Sequence, residues 1–250
     1  MAGIGALLGI NAGSGNSYVI LAATCMFGPA IAAVVQARLL NRAGWEPLGL
    51  AVKKFPWKPL LLTALVGLCI VPTILLVLSV CGALWPTGGF GEVNFTTEGL
   101  IQRLQGLMEE MGQDPAPEEK LATLRSIPPV LVLAGSLLSA VLAACTVNLP
   151  FMLGEELGWR GYLWYRTAAW PGLRRVLFTG VVWGLWHAPL IAMGHNYPGH
   201  PVAGIGMMVL FCTVLAFLFD WTRWRSGSVR SSALLHGIIN GSAGALALFL

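Results

Sequence analysis

Charged residues are scarce in this sequence, because Asp, Glu, Lys and Arg together make up only 10% of its 250 residues. Hydrophobic residues make up 56%, and the mean hydropathy is +0.73. Soluble domains carry roughly 25% charged residues, so this composition excludes a soluble globular protein and indicates an integral membrane protein. The net charge of +4 does not indicate nucleic-acid binding, because the basic residues flank apolar runs.

Paired cysteines are also missing. The five cysteines occur singly within apolar runs, without a C-x-x-C pair or any other metal-ligand spacing, as is typical of small buried hydrophobic residues. The sequence also lacks internal repeats, low-complexity tracts and a His-Glu-x-x-His helix, the signature of many zinc proteases. A single membrane domain over residues 1–250 is the simplest domain count.

Six apolar runs are long enough to cross a membrane, which takes about 20 helical residues. We therefore predict an all-α, polytopic transmembrane bundle of about six spans. Basic loops follow the first, third and fifth runs, and an acidic loop follows the second. By the positive-inside rule, we expect a multi-pass protein of the cell (inner) membrane with its basic loops in the cytoplasm and both termini outside. The predicted spans are residues 16–36, 59–85, 128–150, 176–193, 202–219 and 231–250.

The acidic loop covers residues 86–127 and is the only sizeable polar segment. Within it, Thr97 is a candidate N-cap for a helix with Leu and Met residues along one face. We expect an amphipathic helix that lies on the outer membrane surface or on the bundle, and a substrate-gating lid is the alternative. The predicted apolar face consists of Leu100, Leu104, Leu107, Met108 and Met111. With the first two spans, this loop makes up an N-terminal part, residues 16–127.

Two adjacent carboxylates, Glu155 and Glu156, lie beside an apolar run. A charge at the bilayer centre costs at least ~2.5–3.5 kcal/mol on insertion scales, so these groups need a partner, a proton or a catalytic role. In a helix, Glu156 and Arg160 are i and i+4 on one face and can form an ion pair, which leaves Glu155 the freer carboxylate. We interpret Glu155 as the catalytic member and the Glu156–Arg160 pair as structural.

Two of the four histidines lie inside predicted spans: His187 in the fourth, and His236 in the sixth, where Asn240 follows one turn later. Ionisable residues inside a membrane indicate a functional site by default. A carboxylate can take a proton from water, an imidazole can orient that water or bind a metal, and a His/Asn pair can donate hydrogen bonds to an oxyanion. The combination suits amide hydrolysis. For each histidine and for Asn240 taken alone, helix packing is the alternative, or a proton relay for the histidines.

In chain order, Glu155-Glu156-x-x-x-Arg160, Trp183-x-x-x-His187 and His236-x-x-x-Asn240 resemble the motifs of the CPBP family (CAAX protease and bacteriocin-processing, or ABI) of intramembrane proteases, which includes the Rce1 prenyl proteases. The resemblance covers about residues 128–250, the motif-bearing catalytic core. It implies that Glu155 and His187 activate the hydrolytic water, that His236 and Asn240 hold the oxyanion, and that Glu156 and Arg160 support them. The second motif of the family commonly opens with Phe. This sequence has Trp183 at that position, so the side chain there is still aromatic.

The sequence leaves the use of a metal open. Glu155, His187 and His236 offer Zn²⁺ three ligands and one open position, as a catalytic zinc requires. Equally, the Glu/His pair can activate water without a metal, and we favour this form. The depths of the groups conflict in the six-span scheme, because His187 lies about 18 Å up its helix while Glu155 ends the preceding span. Either the third helix continues through Glu155, or the basic residues after it lie deeper than drawn.

The leading hypothesis is a glutamate-dependent, membrane-embedded peptidase that cuts a peptide or protein substrate of the CAAX type or a related type. A lipid-modified substrate would require an apolar groove open to the membrane lipid beside the site, with Trp159, Trp164, Trp183 and Trp186 as candidate lining residues. The alternatives are a non-enzymatic membrane scaffold or immunity-type protein of the same fold, and a proton-coupled transporter. The absence of repeats argues against the transporter.

Overall fold

The computed structural model describes residues 9, 11, 13–42, 44–50, 55–110 and 112–250. Across these ranges the regular structure is entirely helical, without a strand, which confirms the predicted all-α class. Lys53 and Lys54 of the first basic loop, and Met111 of the predicted apolar helix face, lie outside the described residues.

Five helices are long and apolar enough to cross a membrane, and a sixth span is present if the bent pair Glu118–Arg125 and Pro129–Cys145, which meet at 107°, counts as one. The prediction of a polytopic bundle with about six spans is therefore confirmed, and the chain is a multi-pass membrane protein. The five helices are Asn16–Leu40, Trp57–Leu84, Gly172–Ala192, Pro201–Ser226 and Val229–Phe249. The first consists of Asn16–Cys25, Gly28–Val34 and the π-helix Val35–Leu40, and a short 3₁₀ helix, Glu46–Leu48, follows it.

The chain divides into two compact units. The first consists of Met1–Thr63 and Leu149–His236, and the second of Ala64–Asn148 and Gly237–Leu250. The boundaries fall inside two helices, Trp57–Leu84 and Val229–Phe249. The expectation of one membrane domain stays a prediction.

In the second unit, the acidic segment forms two helices, Thr97–Glu110 and Glu118–Arg125. The N-cap is Thr96 and not Thr97, because the N–H of Gly99 donates to Thr96 Oγ1 at 3.1 Å and an N-cap side chain reaches the third helical residue. Leu100 is buried in the apolar core of this unit, and Arg103 Nε donates to the Ala247 carbonyl at 3.0 Å. The amphipathic helix therefore packs on other helices of its own unit, one of the two placements predicted.

The third span ends earlier than predicted. Helix Pro129–Cys145 stops, and after residues 146–148 a new helical segment begins at Leu149. Pro150 is the second residue of this segment and fits there, since proline lacks an N–H and the first turn of a helix does not need one. Of the two alternatives for the depth of Glu155, a third helix that continues through it is therefore wrong. The new segment consists of Leu149–Glu156, the π-helix Leu157–Leu163 and Trp164–Arg166, which together form the motif helix, residues 149–166.

A hairpin of two helices removes the conflict between the depths of Glu155 and His187. The motif helix ends at Arg166, 11 residues after Glu155, and the next helix, Gly172–Trp186, reaches Trp183 11 residues after its start. At 1.5 Å per residue, both positions lie about 17 Å from the turn that joins the helices. Glu155 therefore lies level with Trp183, one turn before His187.

Glycines set the close spacing of the helices in the first unit. A Cβ atom at Gly180 would lie 2.5 Å from the Thr213 Cα, and one at Gly184 would lie 2.5 Å from the Val209 Cα, both on helix Pro201–Ser226. Small residues of this kind let the backbones of membrane helices approach closely. Trp183 lies between these two glycines in the sequence. Its ring packs against that of Phe219, at 5.2 Å between ring centroids.

Candidate active site

Three helical segments of the first unit bring polar side chains together around Trp183. The motif helix contributes Glu155, which is 2% exposed, and Glu156 and Arg160, which are both fully buried. The following helix contributes Trp183 and, at its end, the half-buried His187. The last helix contributes the buried His236.

Trp183 holds Glu155 directly. Its indole Nε1–H donates a hydrogen bond to Oε2 of Glu155 at 3.0 Å. The Trp183 ring also lies 5.4 Å from the His236 ring and 6.1 Å from the His187 ring, measured between centroids. A phenylalanine at this position has no hydrogen-bond donor. The tryptophan that replaces it here therefore adds the hydrogen bond to Glu155.

The backbone of Trp183 fixes His187. Nδ1 of His187 lies 2.9 Å from the Trp183 carbonyl oxygen. Because a carbonyl oxygen only accepts, Nδ1 carries the proton, and Nε2 of the neutral ring is left as an acceptor. The Trp186 ring packs edge-on against the imidazole at 4.9 Å. The orientation of His187 is thus set from two sides, and its Nε2 can accept a hydrogen bond or a proton from water.

Glu156 connects two other predicted site residues. Its Oε1 lies 3.4 Å from Arg160 NH1, which is the predicted i,i+4 ion pair, and 2.9 Å from His236 Nδ1. Because Oε1 already accepts from the Arg160 guanidinium, Nδ1–H of His236 donates to it. Nε2 is then the ring nitrogen of His236 that remains for a substrate. The sequence pattern did not predict the contact between Glu156 and His236.

Asp220 is a buried member of the cluster that the sequence analysis missed. The predicted fifth span ends at residue 219, which puts Asp220 in the basic loop after it, but helix Pro201–Ser226 continues past Asp220, and the residue is only 4% exposed. Its Oδ1 lies 3.5 Å from Arg160 Nε, and its Oδ2 lies 3.4 Å from Arg175 Nε. A signal was present, because Asp220 directly follows a long apolar run.

Asn240 lies one turn beyond His236 on helix Val229–Phe249 and is exposed. It belongs to the second unit, whereas the other predicted site residues belong to the first. Its role beside the oxyanion stays a prediction.

The arrangement does not fit a bound metal. Within the described ranges, no group of three or more His, Cys, Asp or Glu side chains could hold a metal ion. The three candidate ligands, Glu155, His187 and His236, are therefore not gathered into the set that a catalytic zinc requires. The reaction proposed below uses no metal.

An apolar cavity of ≈ 470 Å³ lies beside the motif helix. Trp159 and Trp186 line it, as predicted for a lipid groove, and Trp186 contacts His187. The other two candidate tryptophans have different contacts, since Trp164 stacks on the guanidinium of Arg175 at 3.8 Å and Trp183 binds Glu155. The opposite wall comes from the N-terminal helix, through Pro29, Ala33 and Gln36.

Together, the fold and the site define a class of protein: a multi-pass helical membrane protein whose interior contains a carboxylate and two oriented imidazoles, the groups that general acid–base chemistry on water requires. The model of the Rce1-like family, described as type II CAAX prenyl endopeptidase Rce1-like, matches residues 129–242, just under half of the chain. This match confirms the predicted resemblance to that family over these residues. The matched stretch contains every motif residue from Glu155 to Asn240. Comparison with curated proteins and with solved structures gave no significant match.

Proposed function

We propose that the protein is an intramembrane endopeptidase in which Glu155 and His187 activate a water molecule. The observation that supports this most strongly is the double role of Trp183. Its indole N–H binds the Glu155 carboxylate, and its backbone carbonyl binds His187 Nδ1. One residue thus orients both groups, and the proposal places one water molecule between the Glu155 carboxylate and His187 Nε2.

In the proposed reaction, Glu155 takes a proton from this water while His187 Nε2 accepts its other hydrogen bond. The resulting hydroxide attacks the carbonyl carbon of the scissile peptide bond and forms a tetrahedral oxyanion. Nε2–H of His236 donates to the oxyanion when both ring nitrogens carry a proton, and the Glu156 carboxylate compensates that positive charge. Asn240 is the proposed second donor. Glu155 then gives its proton to the leaving nitrogen as the C–N bond breaks.

The apolar cavity is the proposed binding site for the lipid group of a CAAX-type substrate. It is lined almost entirely by apolar side chains, and Trp186 lies between it and His187. A lipid chain in the cavity would therefore bring a peptide attached to it close to the proposed water. The predicted orientation puts the turn after the motif helix on the cytoplasmic side of the cell (inner) membrane, so we propose that the substrate reaches the site from that side.

The test is cleavage of a library of short peptides, prenylated and unprenylated, by the purified protein in lipid. Glu155→Gln removes the proton acceptor with little change of volume, and general-base catalysis contributes roughly 10²–10⁴-fold, so we expect cleavage to fall by about that factor. Glu109→Gln is the matched control, because Glu109 is an exposed residue of the second unit. Unchanged cleavage by Glu155→Gln would contradict the proposal.

A further inference from the structure

One buried carboxylate of the first unit has no part in the proposed reaction. Asp220 lies near the end of helix Pro201–Ser226, and its two oxygens contact two different guanidinium groups. Arg160 contacts Oδ1, and Arg175 contacts Oδ2. A buried carboxylate is costly unless it is paired, and Asp220 is paired on both sides.

A continuous chain of polar contacts runs from Asp220 to His236. Arg160 Nε lies 3.5 Å from Asp220 Oδ1, and Arg160 NH1 lies 3.4 Å from Glu156 Oε1. The same Glu156 oxygen lies 2.9 Å from His236 Nδ1. The contact with the imidazole is thus the shortest in the chain, and both contacts of the guanidinium are longer.

Arg160 lies between two carboxylates and forms a bidentate pair with neither of them. Its Nε and NH2 groups make no hydrogen bond with any residue in the described part of the chain, and the same is true of Glu156 Oε2 and Asp220 Oδ1. Two aromatic rings fix the plane of the guanidinium, because Trp183 and Phe219 each lie 4.7 Å from Arg160 Cζ. The two carboxylates, Glu156 and Asp220, each lie within 3.5 Å of a different nitrogen of this guanidinium.

We propose that Asp220, which Arg175 also contacts, is a positioning residue that draws Arg160 away from Glu156 and so leaves Oε1 of Glu156 to orient His236. Without the Asp220 charge, the guanidinium closes on Glu156, because an arginine and a carboxylate prefer a bidentate pair. Glu156 then turns away from His236. The consequence for catalysis depends on the proposed function, whereas the contact between Glu156 and His236 can be measured without it.

The first measurement is the NMR signal of the His236 Nδ1–H group in the whole ¹⁵N-histidine-labelled protein in lipid bilayers, assigned by its loss in His236→Gln. We expect Asp220→Asn to shift this signal toward its position in Glu156→Gln, where the charged acceptor is absent. Asp220→Glu, which restores a carboxylate, should bring it back toward the wild-type position. Asp114→Asn makes the same change at an exposed residue and should leave it unmoved. An unshifted signal in folded Asp220→Asn overturns the proposal.

Arg175→Gln provides a second, independent variant if Asp220→Asn does not fold. Without Arg175, Asp220 keeps its ion pair with Arg160 and its electrostatic interaction with Arg223, and it attracts Arg160 more strongly. The bond between Glu156 and His236 should then shorten, and the His236 signal should move in the direction opposite to that in Glu156→Gln. A shift in the same direction, or none, overturns the proposal.

Kinetics separate this proposal from the proposed function. On a peptide that the wild type cleaves, Asp220→Asn should lower kcat by about 10- to 100-fold with KM within about twofold, because misplacing a catalytic group affects the reaction step more than binding. If Asp220→Asn keeps the wild-type kcat although its His236 signal is shifted, the claim that Asp220 affects catalysis through His236 is contradicted. If the folded wild type cleaves none of the peptides, the proposed function is contradicted, and the NMR result still decides the role of Asp220.

Discussion

The two units differ in where their charged residues lie. The first buries Glu155, Glu156, Arg160 and Asp220 among aromatic rings. The core of the second unit is apolar, and its ion pairs, Arg103–Glu110 and Arg125–Glu118, lie largely exposed. Buried charges are costly and are retained where they are paired or functional, whereas exposed pairs contribute little. The comparison supports the proposal that Glu155 and His187 of the first unit act on the substrate.

The largest expected effect is on stability. Arg160→Gln removes the shared partner of two buried carboxylates, and breaking a buried pair in this way costs about 3–5 kcal/mol. Arg125→Gln, at an exposed pair of the second unit, should cost about 0–1 kcal/mol. Thermal unfolding of both variants in the same detergent checks the difference. Equal losses would contradict the contrast between the two units.

Trp183→Phe tests the polar contact that the tryptophan adds. The aromatic ring remains but the donor to Glu155 is lost, and a hydrogen bond to a charged group contributes about 1.5–3 kcal/mol. We expect kcat to fall by roughly 10- to 100-fold, measured on a cleaved peptide at equal amounts of folded protein. Trp85→Phe, at an exposed tryptophan of the second unit, is the control and should keep full activity. Full activity of Trp183→Phe would show that the indole N–H has no part in positioning Glu155.

Gly180→Ala tests the close helix approach in the first unit. The added Cβ would lie 2.5 Å from the backbone of Thr213, so the helices must separate, and overpacking of this kind costs about 1–3 kcal/mol. At Gly106, in a helix of the second unit, a Cβ meets nothing within 4 Å. Gly106→Ala should therefore be neutral or stabilising by up to about 1 kcal/mol. The melting temperatures of both variants measure these effects. A Gly180→Ala variant as stable as the wild type would contradict the close approach of the two helices.

The smallest expected effect is that of a chelator. Because the candidate ligands are not gathered into a metal site in the described structure, we expect cleavage to be unchanged after incubation with a zinc chelator and dialysis. Loss of cleavage that added Zn²⁺ restores would contradict the metal-free reaction.

The sequence predicted the features that depend on local pattern. Hydrophobic runs indicated the spans, and the i,i+4 spacing indicated the ion pair between Glu156 and Arg160, which the structure contains. The motifs also indicated the family. In these cases the relevant residues are neighbours along one helix, or lie in one apolar run of membrane-spanning length.

The features that the sequence did not predict arise between helices. The break before Pro150 was hidden because the apolar composition continues across it, although the proline was a usable signal. Asp220 was placed in a loop because its helix runs beyond the apolar stretch, and its contact with Arg160 joins residues 60 positions apart. The bond between Trp183 and Glu155 likewise depends on how two helices pack.

The central claim is that Glu155 and His187 act together on one water molecule. The most direct test is the kcat of Glu155→Gln, of His187→Gln and of the double variant on the same peptide. If the two groups act as a unit, each single variant loses roughly 10²–10⁴-fold, and the double variant loses about as much as the worse single variant. A wild-type kcat for either single variant, or losses that multiply in the double variant, would contradict the account.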